Sequence, residues 1–219
     1  KVMQRLAKLG YTQSYTYFTW RNTRHELTEY FNELAHGPGR DYFRPNAWPN
    51  TPDILTEVLQ VGGRGAFMAR VVLAATLSSN YGLYGPAFEL LEHKPREPGS
   101  EEYLDSEKYQ LRRWDLARHD SLAGFVAALN IARRDNAALQ SNTSLRFLPI
   151  DNDRMIAYAK ATPSLDNVVV VVVNLNPHHG ESGWVELDLH ALGLPADEPY
   201  EMPDVLGGQR FLSHGGRNW

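Results

Sequence analysis

The spacing between apolar residues changes near Asn136, and this change limits the folds that the chain can adopt. Before this point, short aromatic or β-branched runs alternate with runs of helical spacing. That pattern is typical of a parallel α/β layer, in either a barrel or an open sheet. After it, every apolar run has the length and composition of a strand. The sequence therefore predicts an α/β region followed by an all-β domain, with the boundary between Asn136 and Asn142.

Strands and helices alternate in the predicted α/β region. The strands are expected at residues 13–20, 42–44 and 80–86, the last of these being a short strand that ends in a turn. Two of the helices are expected at residues 2–9 and 66–79. A further helix is expected after Thr23, because Thr23 and Glu26 form a T-x-x-E capping box ahead of an apolar face. Asp120 or Ser121 is expected to cap the last helix of this region.

Only strand-like runs follow the boundary. They lie at residues 145–149, 155–161, 168–175, 183–188, 200–203 and 209–212. The third run contains the consecutive valines at 168–173, which favour a central strand that is buried on both faces. Residues 215–219 are expected to form a turn that leads to a strand beyond the chain.

Charge and composition exclude several classes of function. A formal net charge of −4 provides no broad basic field, so nucleic acid is not expected as a partner. The absence of cysteine excludes disulfides, thiolate metal sites and a cysteine nucleophile. The longest aliphatic run, at 168–173, is far shorter than the roughly 20 apolar residues that span a bilayer. We therefore expect a soluble, cytoplasmic protein without a membrane partner.

Three further features bear on ligand sites and on completeness. The adjacent His178 and His179 lack additional ligands at metal-binding spacing and are expected in a surface loop, so no metal is predicted. The glycine-rich segment 62–65 lacks a preceding strand, and we interpret it as the entry to a helix, not as a phosphate-binding loop. The chain begins with Lys1 directly ahead of a helical pattern, and both ends are expected to be cut from a longer protein.

Five sequence motifs occur in the same order as in a known enzyme family. They are Gly10-Tyr-Thr-Gln-Ser-Tyr-Thr-Tyr-Phe-Thr-Trp-Arg-Asn-Thr23, Tyr42-Phe-Arg-Pro-Asn46, Asn50-Thr-Pro-Asp-Ile-Leu55, Ser79-Asn-Tyr-Gly-Leu-Tyr-Gly-Pro86 and Glu102-Tyr-Leu-Asp-Ser-Glu-Lys-Tyr109. Each motif alone is weak, but their common order makes the signal strong. With these motifs the chain resembles the maltose-1-phosphate maltosyltransferases of the α-amylase superfamily, and the resemblance is looser beyond the α/β region.

The resemblance implies a fold for both regions. The family has a (β/α)₈ TIM barrel, with the active site at the C-terminal ends of its strands, followed by a β-sandwich. Residues 1–138 would be the C-terminal part of the catalytic barrel, its last third, with the sixth, seventh and eighth strands. Residues 139–219 would be the C-terminal β-sandwich domain, truncated at its end.

The resemblance also implies an activity, the retaining transfer of maltosyl units from α-maltose 1-phosphate to the non-reducing end of an α-1,4-glucan. Such a reaction needs a carboxylate nucleophile and a carboxylic acid about 5 to 5.5 Å apart. The resemblance puts both before Lys1, so the chain alone is expected to be inactive. Asp53 matches the third carboxylate, which stabilises the transition state, and Lys108 and Tyr109 match residues near the donor sugar. Neither a metal nor an organic cofactor is implied, and the full-length protein would be a homodimer.

Each of these assignments has an alternative. Asp53 could instead cap a helix or form an Asx turn, as Asp after Pro commonly does. Lys108 could belong to a solvated Glu-Lys pair. The aromatic run at residues 15–20 could offer stacking faces to glucan rings, although core packing is the more frequent use and the one expected here. The parent enzyme could be another superfamily member, such as a branching enzyme or a trehalose-forming isomerase, or the chain could be a non-catalytic glucan-binding piece.

Overall fold

In the computed structural model, which describes residues 2–219, a region of parallel strands and helices precedes a region of antiparallel strands. The helices are α1 (Val2–Lys8), α2 (Arg24–His36), α3 (Glu57–Val61), α4 (Gly63–Leu77), α5 (Gly85–Glu89) and α6 (Ala123–Asp135). The strands of the first region are β1 (Ser14–Tyr15), β2 (Pro45–Ala47) and β3 (Asn80–Tyr81). The strands of the second are β4 (Arg146–Leu148), β5 (Met155–Ala161), β6 (Val168–Asn174), β7 (Val185–Glu186), β8 (Tyr200–Pro203), β9 (Arg210–Ser213) and β10 (Arg217–Asn218).

The strands β1, β2 and β3 form one parallel sheet with β2 in the middle. The parallel arrangement predicted for these segments is confirmed, but the predicted length of the first strand is wrong. It ends at Tyr15, and Thr16, which is still extended, donates its hydroxyl to the Asn46 carbonyl at 3.0 Å. The next residues, Tyr17–Trp20, form a 3₁₀ turn that buries Phe18.

The other two parallel strands also differ from the prediction. The middle strand begins at Pro45, inside a segment expected to be a loop, and all of its residues are buried. A proline is compatible with the first position of a strand, where its missing N–H costs least. The third strand stops at Tyr81, and the following turn leads into α5, which carries Pro86 in its first turn. Proline favours that position because a first-turn N–H has no helical partner.

The helix after Thr23 begins as the capping box predicts. Thr23 Oγ1 accepts from the Glu26 N–H at 3.2 Å, and Glu26 Oε2 accepts from the Thr23 N–H at 3.0 Å. The last helix begins later than expected, at Ala123, whose N–H donates to Ser121 Oγ at 3.1 Å. Among residues 2–219, no helix combines the length and the apolar character that crossing a membrane requires.

The central strand of the three-stranded antiparallel sheet is β5, and the valine-rich β6 lies at its edge. Most residues of β6 are half-buried, whereas all but the last residue of β5 are buried. The expectation of a doubly buried strand at 168–173 is therefore wrong, because a strand is buried by what pairs with it and packs on it, whatever its own hydrophobicity. The expected terminal turn is also wrong in part, since β10 pairs with β7 inside the chain.

The two regions share one hydrophobic core, which we call the seam. Its buried members include Leu27, Phe31 and Ala35 of α2, Leu73, Ala74 and Leu77 of α4, and Leu145, Ile156, Tyr158 and Val173 of the β region. Inside the seam, the hydroxyls of Thr76 and Tyr158 lie 2.6 Å apart. The antiparallel sheet thus packs directly on α2 and α4. The domain division at residues 138 and 139 stays a prediction.

Candidate active site

The predicted site residues lie in segments that follow the parallel strands. Asp53 lies in the loop after β2, and Lys108 and Tyr109 lie in the long segment between α5 and α6. Lys108 Nζ is 3.1 Å from Asp53 Oδ1, so the fold brings two of the three predicted residues into contact. Both side chains face solvent, with 62% of Asp53 and 47% of Lys108 exposed.

The Asp53 loop is a tight turn in which the aspartate side chain stays free of helix capping. Its backbone N–H donates to Thr51 Oγ1 at 3.2 Å, and Thr51 and Ile54 exchange two backbone hydrogen bonds across the turn. Thr56 precedes α3 and makes no side-chain cap. Within residues 2–219, the Asp53 carboxylate caps no helix, and the alternative reading of Asp53 as an N-cap is wrong.

A buried asparagine fixes this loop to its neighbours. The Asn50 side chain is fully buried, and its Oδ1 accepts from the Tyr84 N–H at 3.0 Å. Its Nδ2 donates to the Tyr103 hydroxyl at 2.8 Å and to the Tyr84 carbonyl at 3.3 Å. Because a buried amide is costly unless it is hydrogen-bonded, these contacts hold three segments in one arrangement. Asn50, Tyr84 and Tyr103 form what we call the buried frame.

Glu102 connects Lys108 and Tyr109, and sequence reasoning missed it. Its Oε1 accepts from Lys108 Nζ at 3.3 Å and from the Tyr109 hydroxyl at 3.0 Å, and its Oε2 accepts from Arg96 at 2.8 Å. We call Asp53, Arg96, Glu102, Lys108 and Tyr109 the charged cluster. The only signal in the sequence was that Glu102 opens the motif that ends at Tyr109.

Contacts within the charged cluster shift the pKa values of Glu102 and Lys108. Hydrogen bonds from Arg96 and Tyr109 hold the pKa of Glu102 below its ordinary value. The hydrogen bonds of Lys108 to Asp53 and Glu102 raise the lysine pKa above its ordinary value. At neutral pH, Glu102 is therefore a carboxylate and Lys108 an ammonium. An exposed ion pair contributes only about 0 to 1 kcal/mol to stability, so stability alone gives little reason for this concentration of charge.

A second carboxylate organises the same long segment. Glu107 accepts from the Tyr84 hydroxyl in a short contact and from Trp114 Nε1 at 3.0 Å. These hydrogen bonds lower the pKa of Glu107 below its ordinary value. Arg112 lies over the Trp114 ring, 4.1 Å from its centroid. Glu107 therefore ties the residues next to Lys108 to the buried frame through Tyr84.

The aromatic run at residues 15–20 divides into one core residue and three exposed ones. Phe18 is fully buried, as expected, but Tyr15, Tyr17 and Trp20 are 60%, 54% and 42% exposed. The packing expectation is therefore wrong for those three. Tyr15 stacks on Trp48 with the ring centroids 5.4 Å apart, and Trp20 Nε1 donates to Glu101 at 2.9 Å.

The site offers hydrogen-bond donors and one accessible carboxylate. An ammonium and a phenol can donate to sugar hydroxyls, and a carboxylate can stabilise positive charge that develops on a sugar ring. Within residues 2–219, no group of three His, Asp or Glu side chains is arranged to hold a metal ion. His178 and His179 lie in an exposed loop, where the His179 carbonyl accepts from Asn174 Nδ2 at 2.7 Å.

Comparison with known proteins gives consistent matches. The family model described as "GLGE, C-terminal" matches residues 147–219. The α-1,4-glucan:maltose-1-phosphate maltosyltransferase of Chlorobaculum tepidum is 48% identical over 225 residues, covering 100% of this chain and 33% of that protein. The α-1,4-glucan:maltose-1-phosphate maltosyltransferase 1 of Streptomyces coelicolor is 50% identical over 220 residues, covering 99% of this chain and 32% of that protein. The chain thus spans about a third of the length of the curated relatives it matches.

Solved structures share the fold at low sequence identity. A maltogenic α-amylase from Thermotoga neapolitana has a TM-score of 0.66 and 12% identity, with 96% of this chain and 48% of that chain covered. The structure of AmyP E221Q in complex with maltotriose has a TM-score of 0.61 and 15% identity, covering 90% of this chain and 42% of that chain. The chain therefore has a fold found in the α-amylase enzymes. Within that class it belongs to the family of the α-1,4-glucan:maltose-1-phosphate maltosyltransferases, and the resemblance drawn from the five motifs is confirmed.

Proposed function

We propose that the full-length protein moves maltosyl units from α-maltose 1-phosphate to the non-reducing end of α-1,4-glucans, with retention of configuration. The family membership supports this proposal, since the relatives carry that donor and acceptor in their names. The observation that carries it furthest is local. Asp53, Lys108 and Tyr109 belong to two separate motifs, and the fold joins them in one charged cluster through Lys108 and Glu102.

The proposal also assigns the parallel strands to positions in the fold of the full-length protein. We infer that β1, β2 and β3 are the sixth, seventh and eighth strands of a (β/α)₈ barrel. Their parallel order and the intervening helices support this inference. So does the position of the site, because barrel enzymes build their active sites after the C-terminal ends of the strands. Residues 1–138 would then complete the catalytic barrel, and residues 139–219 would form the β-sandwich.

Each site residue has a proposed role. Asp53 stabilises the distorted, positively charged sugar in the transition state, as an accessible carboxylate can. Lys108 and Tyr109 donate hydrogen bonds to hydroxyls of the donor sugar. The ion pair between Asp53 and Lys108 must then open when sugar enters, and the exposure of both side chains permits this.

The remaining parts of the proposal concern the full-length protein. The nucleophile and the general acid lie outside this chain, and neither metal nor organic cofactor takes part. The protein works in the cytoplasm as a homodimer. The isolated chain of 219 residues has no transferase activity, because one carboxylate cannot serve as both nucleophile and acid.

A donor-specificity assay on the full-length protein tests the proposal. We expect phosphate release and lengthening of a short α-1,4-glucan with α-maltose 1-phosphate, and neither product with trehalose or unphosphorylated maltose. The isolated chain serves as the matched control and should release no phosphate above background. Branch formation on a linear glucan, or conversion of maltose to trehalose, would instead identify a branching enzyme or a trehalose-forming isomerase. Turnover by the isolated chain would overturn the placement of the catalytic pair.

A further inference from the structure

Lys108 and Tyr109 have long, exposed side chains that packing against the core does not hold in place. Tyr109 is 66% exposed, and Lys108 is nearly half exposed. Holding such a side chain in one rotamer costs conformational entropy. A residue that fixes them before the sugar arrives would lower that cost on binding.

Glu102 provides this support because its carboxylate accepts from both side chains at once. The same oxygen, Oε1, accepts from Lys108 and Tyr109, while Oε2 accepts from Arg96. Arg96 also lies 5.8 Å from the centroid of the Tyr109 ring, and Lys108 Nζ lies 5.5 Å from it. The phenol is thus oriented by a hydrogen bond at its hydroxyl and by cations near its ring.

The backbone of Glu102 is itself fixed. The Arg96 N–H donates to the Glu102 carbonyl at 2.7 Å, and the Leu104 N–H donates to the Lys94 carbonyl at 2.9 Å. Between these bonds lies Tyr103, which is 3% exposed and accepts from the buried Asn50. Glu102 is therefore held in place by its neighbour Tyr103, which belongs to the buried frame. Only 21% of the Glu102 side chain is exposed. A carboxylate with a fixed backbone thus accepts from two exposed donors, and this arrangement allows Glu102 to support both of them.

We propose that Glu102 is a positioning residue, which holds Lys108 and Tyr109 in the orientation that binds the donor sugar. The role rests on the proposed function, since it assumes that Lys108 and Tyr109 contact that sugar. Lys108 is shared between Asp53 and Glu102 in the ligand-free structure. When the sugar separates Asp53 from Lys108, Glu102 keeps the ammonium in place. Without Glu102, Lys108 pairs with Asp53 alone, and the sugar must compete with that pair.

The test measures kcat and KM for α-maltose 1-phosphate in the full-length enzyme, for the wild type, E102Q, K108M and the double variant. E102Q keeps the shape of the side chain and removes its charge. We expect its KM to rise about five- to thirtyfold through lost preorganisation of two side chains, with kcat within about threefold. The KM of the double variant should exceed that of K108M by less than the factor that E102Q causes in the wild type, because part of the effect of Glu102 is exerted through Lys108 and the rest through Tyr109.

Glu97 provides a matched control, since its side chain is exposed and makes no hydrogen bond within residues 2–219. E97Q should leave kcat and KM unchanged. R96Q removes the other anchor of Glu102 and should raise KM in the same direction, which keeps the test valid if E102Q folds poorly. An unchanged KM in E102Q, or effects of E102Q and K108M that multiply in the double variant, would refute the positioning role. If K108M itself leaves KM unchanged, the assignment of Lys108 to the sugar is wrong, and that failure belongs to the proposed function.

Discussion

The seam and the charged cluster are built from opposite kinds of residue. The seam is made of apolar side chains that are almost completely buried, and the Tyr158 hydroxyl within it contacts Thr76. The charged cluster is made of four exposed side chains around Glu102, whose side chain is only 21% exposed, and a small buried frame lies next to it. Burying a large apolar side chain contributes about 1.5 to 3 kcal/mol to stability, whereas an exposed ion pair contributes at most about 1 kcal/mol. The difference implies that stability resides mainly in the seam, apart from the site proposed to bind sugar.

The largest effect is expected from Asp53→Asn in the full-length enzyme. The substitution keeps the shape of the side chain and removes the charge that would stabilise the transition state. We expect kcat to fall on the order of 10² to 10⁴-fold, as for other single electrostatic contributions to catalysis. Steady-state kinetics with α-maltose 1-phosphate measures the change, which should exceed any change in KM.

Asp41 provides the control for this prediction. It is also an exposed aspartate near a basic side chain, since its carboxylate lies 3.5 Å from Arg40, but it precedes β2 and lies outside the charged cluster. Asp41→Asn should keep kcat within about twofold of the wild type, as expected for a surface substitution away from the site. If Asp53→Asn behaved like Asp41→Asn, Asp53 would be a turn residue without a catalytic role.

A substitution in the seam should lower stability and leave kcat unchanged. Leu27 is fully buried between the two regions, and Leu27→Ala removes apolar contacts and leaves a cavity. We expect a loss of about 2 to 5 kcal/mol in the free energy of unfolding, measured by urea denaturation of the full-length protein. The kcat of the folded fraction should be unchanged. Leu116→Ala, at a leucine that is 66% exposed, should cost less than about 0.5 kcal/mol. Equal costs at the two leucines would contradict the assignment of stability to the seam.

The sequence predicted elements where a local signal determines the structure. The capping box at Thr23 and Glu26 is confirmed because both of its hydrogen bonds form within four residues. The strand at 155–161 has the predicted bounds. The valine run misled because the edge or centre position of a strand is decided by its partners, and these are distant in sequence. The predicted first strand is too long because four of its residues, Tyr17–Trp20, form a 3₁₀ turn in which only Phe18 and Thr19 are buried.

The candidate site was predictable only in part, for the same reason. Asp53, Lys108 and Tyr109 came from motif resemblance, and their roles stay predictions. Asn50 belongs to one of the five motifs, but nothing in the sequence shows that its amide reaches Tyr84 and Tyr103. Glu102 was missed because its importance arises from three donors that meet only after the segment has folded.

Lys160 is an exception to this separation of exposed charge from buried apolar residues, because it is a buried basic residue. It lies in β5, its side chain is fully buried, and its Nζ has no hydrogen-bond partner within residues 2–219. Burial and, to a lesser extent, the nearby Arg133 of α6 together lower the pKa of Lys160 from 10.5 to about 7. In the unfolded chain the amine is exposed and titrates near its ordinary value.

The sign of the resulting pH dependence follows from proton binding. Between pH 7 and about 10, unfolded Lys160 holds a proton that the folded state has lost, so stability rises with pH, by at most about 1.4 kcal/mol per unit. Below pH 7 both states are protonated, and folding bears the full cost of burying the charge.

Lys160→Met should therefore stabilise β5 and α6 most at pH 6, with a gain that shrinks toward pH 9. Hydrogen exchange, compared between variant and full-length wild type at each pH, measures the gain because intrinsic exchange rates then cancel. Lys94→Met, at an exposed lysine, should show no such trend. A gain at Lys160→Met that stays constant from pH 6 to 9 would mean that folded Lys160 keeps its proton over this range. The seam region would then tolerate a buried ammonium.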